Sequence, residues 1–410
     1  PRAMAMLKPF RGLRPPRQLA PRVAALPYDV VSTEEARAYA RGNEHCFFHI
    51  SRPEIGLPVG VDEHGERVYE LGRENLRLFE QRGWLSRDTA PSFYVYRQRM
   101  GDHVQSGLVA VASLDEYDRG LIKRHELTRP DKEDDRTRHI IALGGNDEPV
   151  FLTYRARAEI DAAVKQITSG PPEYDFTAED GIAHTFWVAG GEWCSQIADL
   201  FQNVPALYIA DGHHRSAAAS RARRLYAERG QLPAGASGFL SVVFPDDQVK
   251  ILDYNRAVRD LRGLAAEELL AQIARRFEIA PGSAEKPSSA HQFGMFLRGR
   301  WYRLTAKPEA IGSTPAEALD VSILQNHLLS PILGVGDPRT DKRMHFVGGI
   351  RGTAELERLV ASGEYQVAFA LYPTRLDQLM AIADAGEIMP PKSTWFEPKL
   401  RSGLVLHMFT

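Results

Sequence analysis

Residues 206–215 read Ala-Leu-Tyr-Ile-Ala-Asp-Gly-His-His-Arg and continue into the alanine-rich segment 216–221. The first five residues form an apolar run that is typical of a strand. Asp-Gly favours a turn, and the alanines that follow have high helix propensity. The sequence therefore predicts a strand, a tight turn and a helix.

The turn carries the features of an anion-binding site. A helix that starts here directs several unpaired backbone N–H groups, and the positive end of its dipole, at the turn. Arg215 and two imidazoles add further donors, which favours a bound phosphate. The alternative is a helix N-cap by Asp211 with two histidines on the surface. The predicted phosphate-binding residues are Asp211, Gly212, His213, His214, Arg215 and Ser216.

Composition limits the function classes. The chain has 410 residues, 25% charged and 43% hydrophobic, which fits a globular protein of two or three domains. A net charge of −2 argues against nucleic acid as a partner. Cys46 and Cys194 match neither a disulfide framework nor a metal site. Without a signal peptide or a long apolar run, the sequence predicts a cytoplasmic protein with no membrane partner.

The order of apolar runs predicts a mixed architecture of helices and strands. Capping-box residues start a helix at Ser32, and Gly101-Asp102 joins two strands of a hairpin. The segment Pro281–Ala290, rich in Pro, Ser and Ala, is the predicted linker. These signals predict an N-terminal α/β domain over 1–118, a core over 119–280 and a C-terminal α/β segment over 291–410 that packs on the core.

Two further segments are candidates for chemistry. Ile122–Arg136 contains so many charges of both signs that it is not predicted to be core, and a solvated helix with ion pairs is one interpretation. His125 and Glu126 stand near its start, where an acid–base pair is the other interpretation. Since this pair and the Asp211 turn each follow a strand-like run, the two motifs are predicted to lie at the same edge of one sheet. Near the C-terminus, Pro-Pro-Lys392-Ser-Thr resembles the end of a P-loop, but prolines replace the glycines and a P-loop is rejected. Lys392 belongs either to an ordered loop or to a phosphate site.

Six motifs together resemble domain-of-unknown-function family 1015 over essentially the whole chain. In order, they are LKPFRGLRP, PYDVVS, IKRHELTRPDKEDDR, ADGHHRSAAA, PRTDKRMHFVGGIRG and MPPKSTWFEPKLRSGLVLH. This family implies no particular chemistry.

A more distant resemblance does imply an activity. The order His-Glu, charged helix, strand and Asp-Gly-His-His-Arg is similar to the nucleotide-dependent free serine kinases, in the superfamily of ParB and sulfiredoxin. It implies an α+β fold whose mixed sheets include a nucleotide-binding core. It also implies that the Asp211–Arg215 turn holds the nucleotide phosphates and that Glu126, after His125, is the catalytic base.

The favoured hypothesis is a kinase that phosphorylates free L-serine or a similar hydroxy compound, using ATP or ADP with Mg²⁺. Such a reaction needs a phosphate cradle, a base and cations against the developing charge. The turn would be the phosphate cradle and Glu126 the base. Arg215 and Lys123 would be the cations, and Asp211 would hold the metal. Two alternatives remain open: a nucleotide-binding regulatory protein, and a metal-dependent hydrolase with His213, His214 and Asp211 as ligands. A homo-oligomer is compatible with the sequence.

Overall fold

The structure is a computed structural model that describes residues 5–410. The chain forms two compact units: the first runs to Val249 and includes Pro398–Thr410, and the second is Lys250–Glu397. This division differs from the predicted boundaries at 118 and 280–291. Each unit contains one large sheet. Strands on both sides of residue 118 pair in the first of these sheets, and strands on both sides of residues 281–290 pair in the second.

The first unit is organised around a large mixed sheet with the strand order β6-β11-β8-β12-β5-β4-β10-β9, in which β1 also pairs with β5. Strands β2 and β3 form a separate small ladder. The strands are β1 (Leu7–Lys8), β2 (Leu13–Arg14), β3 (Ser86–Arg87), β4 (Phe93–Met100), β5 (His103–Ser113), β6 (Ile122–Lys123), β7 (Gly145–Asn146), β8 (Val150–Tyr154), β9 (Tyr174–Thr177), β10 (Ala183–Ala189), β11 (Leu207–Asp211) and β12 (Gly238–Pro245).

Helices of the first unit connect these strands. They are α1 (Ala20–Val23), α2 (Thr33–Ala40), α3 (Phe48–Ser51), α4 (Glu66–Gln81), α5 (Leu114–Asp118), α6 (Pro130–Leu143), α7 (Ala158–Thr168), α8 (Trp193–Phe201) and α9 (His213–Glu228). The predicted capping box at Ser32 is confirmed, since its side chain accepts from the Glu35 N–H while Glu35 accepts from the Ser32 N–H. The predicted hairpin is confirmed as β4 and β5.

The core explains where α9 lies. Strands β8 and β12 are buried along their whole length, as expected for strands covered on both faces. Ala217, Ala218 and Ala219 of α9 belong to the same apolar cluster as Leu152 and Ile209 of the sheet. Small side chains allow the helix to pack closely, and this fixes the N-terminus of α9 at the edge of the sheet.

The second unit has its own antiparallel sheet in the order β15-β17-β16-β19-β14-β18. The predicted linker 281–290 joins two strands of this sheet, so it is a loop within one unit. The elements are β13 (Ile251–Leu252), β14 (Tyr254–Val258), α10 (Ala266–Ile273), β15 (Phe277–Pro281), β16 (Gln292–Leu297), β17 (Arg300–Ala306), α11 (Asp320–Leu324) with a π-helical turn (Gln325–Leu329), β18 (Met344–Gly348), α12 (Gly352–Ala361), β19 (Val367–Leu371), α13 (Leu376–Asp384) and β20 (Trp395–Phe396).

The last residues of the chain belong to the first unit. There β21 (His407–Met408) pairs with β7, and Ser402 forms a bridge with Ala25. The predicted C-terminal segment 291–410 is therefore divided between the two units. Taken together, both sheets and their helices confirm an α+β fold. None of the helices formed by residues 5–410 combines the length and the apolar character that crossing a membrane requires.

Candidate active site

The turn between β11 and α9 has the predicted strand–turn–helix structure. Gly212, the N-cap residue, has φ +102° and ψ 31°, a left-handed conformation that glycine adopts without a steric penalty. A Cβ at Gly212 would lie 3.3 Å from the Arg215 Cζ. The arginine side chain therefore crosses directly over the turn. The first N–H groups of α9 have no acceptor inside the helix, so they face the same space.

Arg215 is a permanent cation in this turn. Its guanidinium donates to the Pro149 carbonyl oxygen. Burial opposes the charge, but the neighbouring carboxylates of Asp29, Asp211 and Glu148 outweigh burial and raise the pKa of Arg215. The arginine thus links the turn to the carboxylates around it.

Asp211 is held by a residue that the sequence analysis missed. Its carboxylate, 38% exposed, lies 3.7 Å from the Lys399 Nζ. Burial would raise the pKa of Asp211, yet Lys399 and Arg215 lower it below its ordinary value. The carboxylate is therefore ionised at neutral pH. Lys399 stands in the motif MPPKSTWFEPKLRSGLVLH, in which only Lys392, placed before Ser-Thr, carries a local signal for a phosphate site.

Glu126 and His213, 87 positions apart in the chain, meet at this edge of the sheet. Strands β6 and β11 are parallel neighbours, with Ile122 opposite Leu207, so the residues that follow each strand emerge side by side. The His213 Nδ1 lies 3.6 Å from the Glu126 Oε2, with His213 3% exposed and the glutamate 45% exposed. The predicted proximity of the two motifs is confirmed, and the chemical roles of these residues stay predictions.

His125 lies on the buried side of this pair. Its ring meets that of His213 edge to face, with centroids 4.4 Å apart, and its backbone N–H contacts the His213 Nε2 at 3.4 Å. Burial lowers the pKa of His125 to about 4 and the pKa of His213 well below 6.5. Both imidazoles are therefore neutral at pH 7.

The His214 side chain is not part of the cluster of His125, Glu126 and His213. Its Nε2 accepts a 3.1 Å hydrogen bond from the Arg129 backbone N–H, and burial lowers its pKa as well. The ligand set expected for a hydrolase, His213 with His214 and Asp211, is not brought together. Within residues 5–410, the cluster of three potential ligands is His125, Glu126 and His213.

Three other predicted site residues have different surroundings. The Ser216 hydroxyl bonds to the carbonyls of Gly212 and His213, and its N–H also bonds to Gly212, so its donors are used inside α9. The Lys123 ammonium lies 5.6 Å from the centre of the Tyr208 ring. Lys392 belongs to the second unit, where its carbonyl accepts from Arg256. The roles of all three at a nucleotide stay predictions.

A polar cavity of about 250 Å³ has no residue of the Asp211–Arg215 turn in its lining, but its lining residues Asp29 and Lys132 interact electrostatically with Arg215 and His214. Arg136 lines it and also borders a smaller cavity that Arg215 and Glu148 line. From Pro130 onward the charge-rich segment is helix α6, as one interpretation expected, but Arg136 is only 8% exposed and stacks 3.9 Å from the centre of the Tyr28 ring. The expectation that no part of the segment is core is therefore wrong, since Ile122 and His125 are buried as well as Arg136. The cavity lining also includes Asp29, Arg52, Glu54, Asp131, Lys132, Asp135 and His139.

The family model for proteins of unknown function DUF1015 matches residues 7–322. The chain belongs to this family. No curated protein is similar enough to count as a match.

Three solved structures are similar to this DUF1015 member at low identity. A free serine kinase in complex with AMP has 14% identity and a TM-score of 0.37, and the match covers 72% of this chain and 91% of the kinase. SbnI from Staphylococcus aureus, with a C-terminal truncation, has 13% identity and a TM-score of 0.38 over 73% and 87% of the two chains. A conserved hypothetical protein from Pyrococcus furiosus has 14% identity and a TM-score of 0.34 over 72% and 95%.

Behind the turn, the DUF1015 chain buries a second carboxyl group, Glu148. Its Oε1 accepts from the Tyr28 N–H at 3.0 Å and from the Ser402 hydroxyl at 2.7 Å. Its Oε2 is buried and has no hydrogen-bond partner among the described residues. Burial, reinforced by Asp147, raises the pKa of Glu148 to about 7, although Arg215 opposes the shift.

Glu148 is expected to make the protein less stable as pH rises. The folded state holds its proton up to about pH 7, whereas the unfolded chain loses it near pH 4.5. Since the folded state binds more protons between these values, the free energy of unfolding should fall across this window by about 3 kcal/mol. Glu148→Gln keeps the Oε1 acceptor and should remove this fall, measured by urea unfolding at pH 5 and pH 8. Glu159→Gln, on an exposed side chain of α7, is the control. Equal pH dependence in both variants would contradict the assignment.

Proposed function

We propose that the chain is a nucleotide-dependent kinase of a small hydroxy compound, with free L-serine as the first acceptor to test. One observation carries the proposal: the half-exposed Glu126 carboxylate lies beside the first residue of α9, at the turn that best fits a phosphate. A base next to an anion site is the arrangement that phosphoryl transfer to a hydroxyl needs.

The turn would bind the nucleotide phosphates. The N–H groups of His213 and His214 start a helix of 16 residues, and such N-termini attract anions. Arg215, lying over Gly212, would add a charge-assisted bond. A Mg²⁺ ion bound with the nucleotide would neutralise charge on the phosphate oxygens, and the ionised Asp211 is the carboxylate of the turn that fits it.

Glu126 would accept the proton of the acceptor hydroxyl. Its side chain is accessible to a substrate, whereas His125 is only 2% exposed. Of the predicted acid–base pair, Glu126 is therefore the member that can touch a substrate. His125 would act through His213, against which its ring packs.

The polar cavity lined by Asp29 and Lys132 would hold the acceptor. Its volume of about 250 Å³ is below that of pockets for drug-sized ligands, about 300–1,000 Å³. Its lining carries both signs of charge, with Asp29 and Asp131 against Lys132 and Arg136. A small acceptor with an ammonium and a carboxylate group, such as an amino acid, fits both the size and the charges.

The test is an assay for acceptor-dependent phosphoryl transfer. The full chain is incubated with Mg²⁺, either ATP or ADP, and a panel of hydroxy compounds led by L-serine, and phosphorylated product is measured. We expect product with at least one acceptor. Nucleotide binding without transfer to any acceptor would instead favour the regulatory alternative, and the kinase proposal would fall.

A further inference from the structure

His125, Glu126 and His213 form a cluster whose possible metal-ligating atoms all lie within 4.8 Å of one another. Two of the side chains are buried and the third is half-exposed. The cluster joins the loop after β6 to the first residue of α9, which the parallel pairing of β6 and β11 holds together. We propose that it binds a divalent transition-metal ion such as Zn²⁺.

The buried His125 carries an unused donor atom. The buried Nδ1 of its ring has no hydrogen-bond partner among the described residues. In the tautomer protonated at Nε2, this Nδ1 presents a lone pair. Neutral imidazole nitrogens of this kind are the commonest metal ligands among side chains.

The spacing of the other two ligands also fits a shared ion. The His213 Nδ1 and the Glu126 Oε2 are 3.6 Å apart, which is longer than an ordinary hydrogen bond. Two ligands at about 2.0–2.2 Å from one tetrahedral ion are separated by about 3.3–3.6 Å. A metal ion at this Nδ1 requires the His213 ring proton to be on Nε2. The His213 Nε2 then no longer accepts from the His125 backbone N–H, a contact of 3.4 Å.

The donor set selects the class of metal. Two imidazoles and one carboxylate suit Zn²⁺, Co²⁺ or Ni²⁺, whereas Mg²⁺ and Ca²⁺ prefer oxygen ligands. Three protein ligands, one of them at the surface, leave a fourth position for water. This site differs from the Mg²⁺ assigned to Asp211. It shares Glu126 with the proposed kinase, and a carboxylate that ligates the ion cannot at the same time take a proton from an acceptor, so the two roles of Glu126 exclude each other in one state of the protein.

The test measures metal binding directly. The full chain, stripped with a chelator, is titrated with ZnCl₂ by calorimetry in the presence of excess Mg²⁺, and Co²⁺ is added separately to record the visible absorption of a tetrahedral site. We expect one zinc per chain and a tetrahedral cobalt spectrum. Glu126→Gln, at an exposed side chain, and His125→Gln should each weaken zinc binding at least tenfold.

His103→Gln, on β5 and outside the cluster, is the matched control and should leave the affinity unchanged. The proposed site would be overturned if the chain did not bind zinc. It would also be overturned if Glu126→Gln and His125→Gln both left the zinc affinity unchanged. Because the readout is binding, it can succeed or fail whether or not phosphoryl transfer is found.

Discussion

Replacing Glu126 by glutamine is expected to lower phosphoryl-transfer turnover by about 10²–10⁴-fold and to leave nucleotide affinity unchanged. Glutamine keeps the shape of the side chain and removes its ability to take a proton. The carboxylate is at the surface, so the change should not disturb the core. The measurement pairs steady-state kinetics with calorimetric titration of the nucleotide.

The control for Glu126→Gln comes from the same charge-rich segment. Asp134 of α6 is 50% exposed and pairs with Arg221 at 3.0 Å, as a solvated ion pair does. Asp134→Asn should change turnover little, because surface pairs contribute about 0–1 kcal/mol. Full activity in Glu126→Gln would show that this glutamate, too, is a solvated member of the segment and not a base.

Replacing Arg215 by alanine should weaken nucleotide binding by about 10- to 150-fold, the value of one charge-assisted hydrogen bond of about 1.5–3 kcal/mol. The same change removes a buried cation that interacts with Asp29, Asp211 and Glu148, so a lower melting temperature is also expected. Arg215→Lys separates the two effects, since lysine keeps the charge but loses the planar guanidinium. Affinity and thermal unfolding are measured on both variants.

Arg221→Ala, on the same helix, is the matched control for Arg215. Arg221 pairs with Asp134 and is 37% exposed, so its loss should leave nucleotide affinity within twofold. Unchanged nucleotide affinity in Arg215→Ala would remove the arginine from the phosphate site.

Local patterns in the sequence predicted the elements that form the site. The apolar run before Asp211 and the alanines after it are enough to predict a strand and a helix. The strand-like runs before His125 and His213 also predicted that the ends of these two strands lie side by side. Such signals depend on residues close in the chain, where propensity and periodicity act.

Long-range pairing was not predictable in the same way. Nothing near residue 118 shows that β5 pairs with β12, more than 120 residues later, and this pairing is what sets the boundaries of the first unit. The contact of Lys399 with Asp211 and the stacking of Arg136 on Tyr28 likewise join distant segments. A buried arginine within a charge-rich helix has the sequence pattern of a solvated one, since only the tertiary fold supplies its aromatic partner.

The most direct test of the account is a structure of the full chain with ADP or a non-hydrolysable ATP analogue and Mg²⁺. We predict phosphate oxygens within about 3 Å of the N–H groups of His213 and His214, with the Arg215 guanidinium as a further donor. A nucleotide bound with its phosphates away from the Asp211–Arg215 turn, or a chain that binds no nucleotide, would contradict the account.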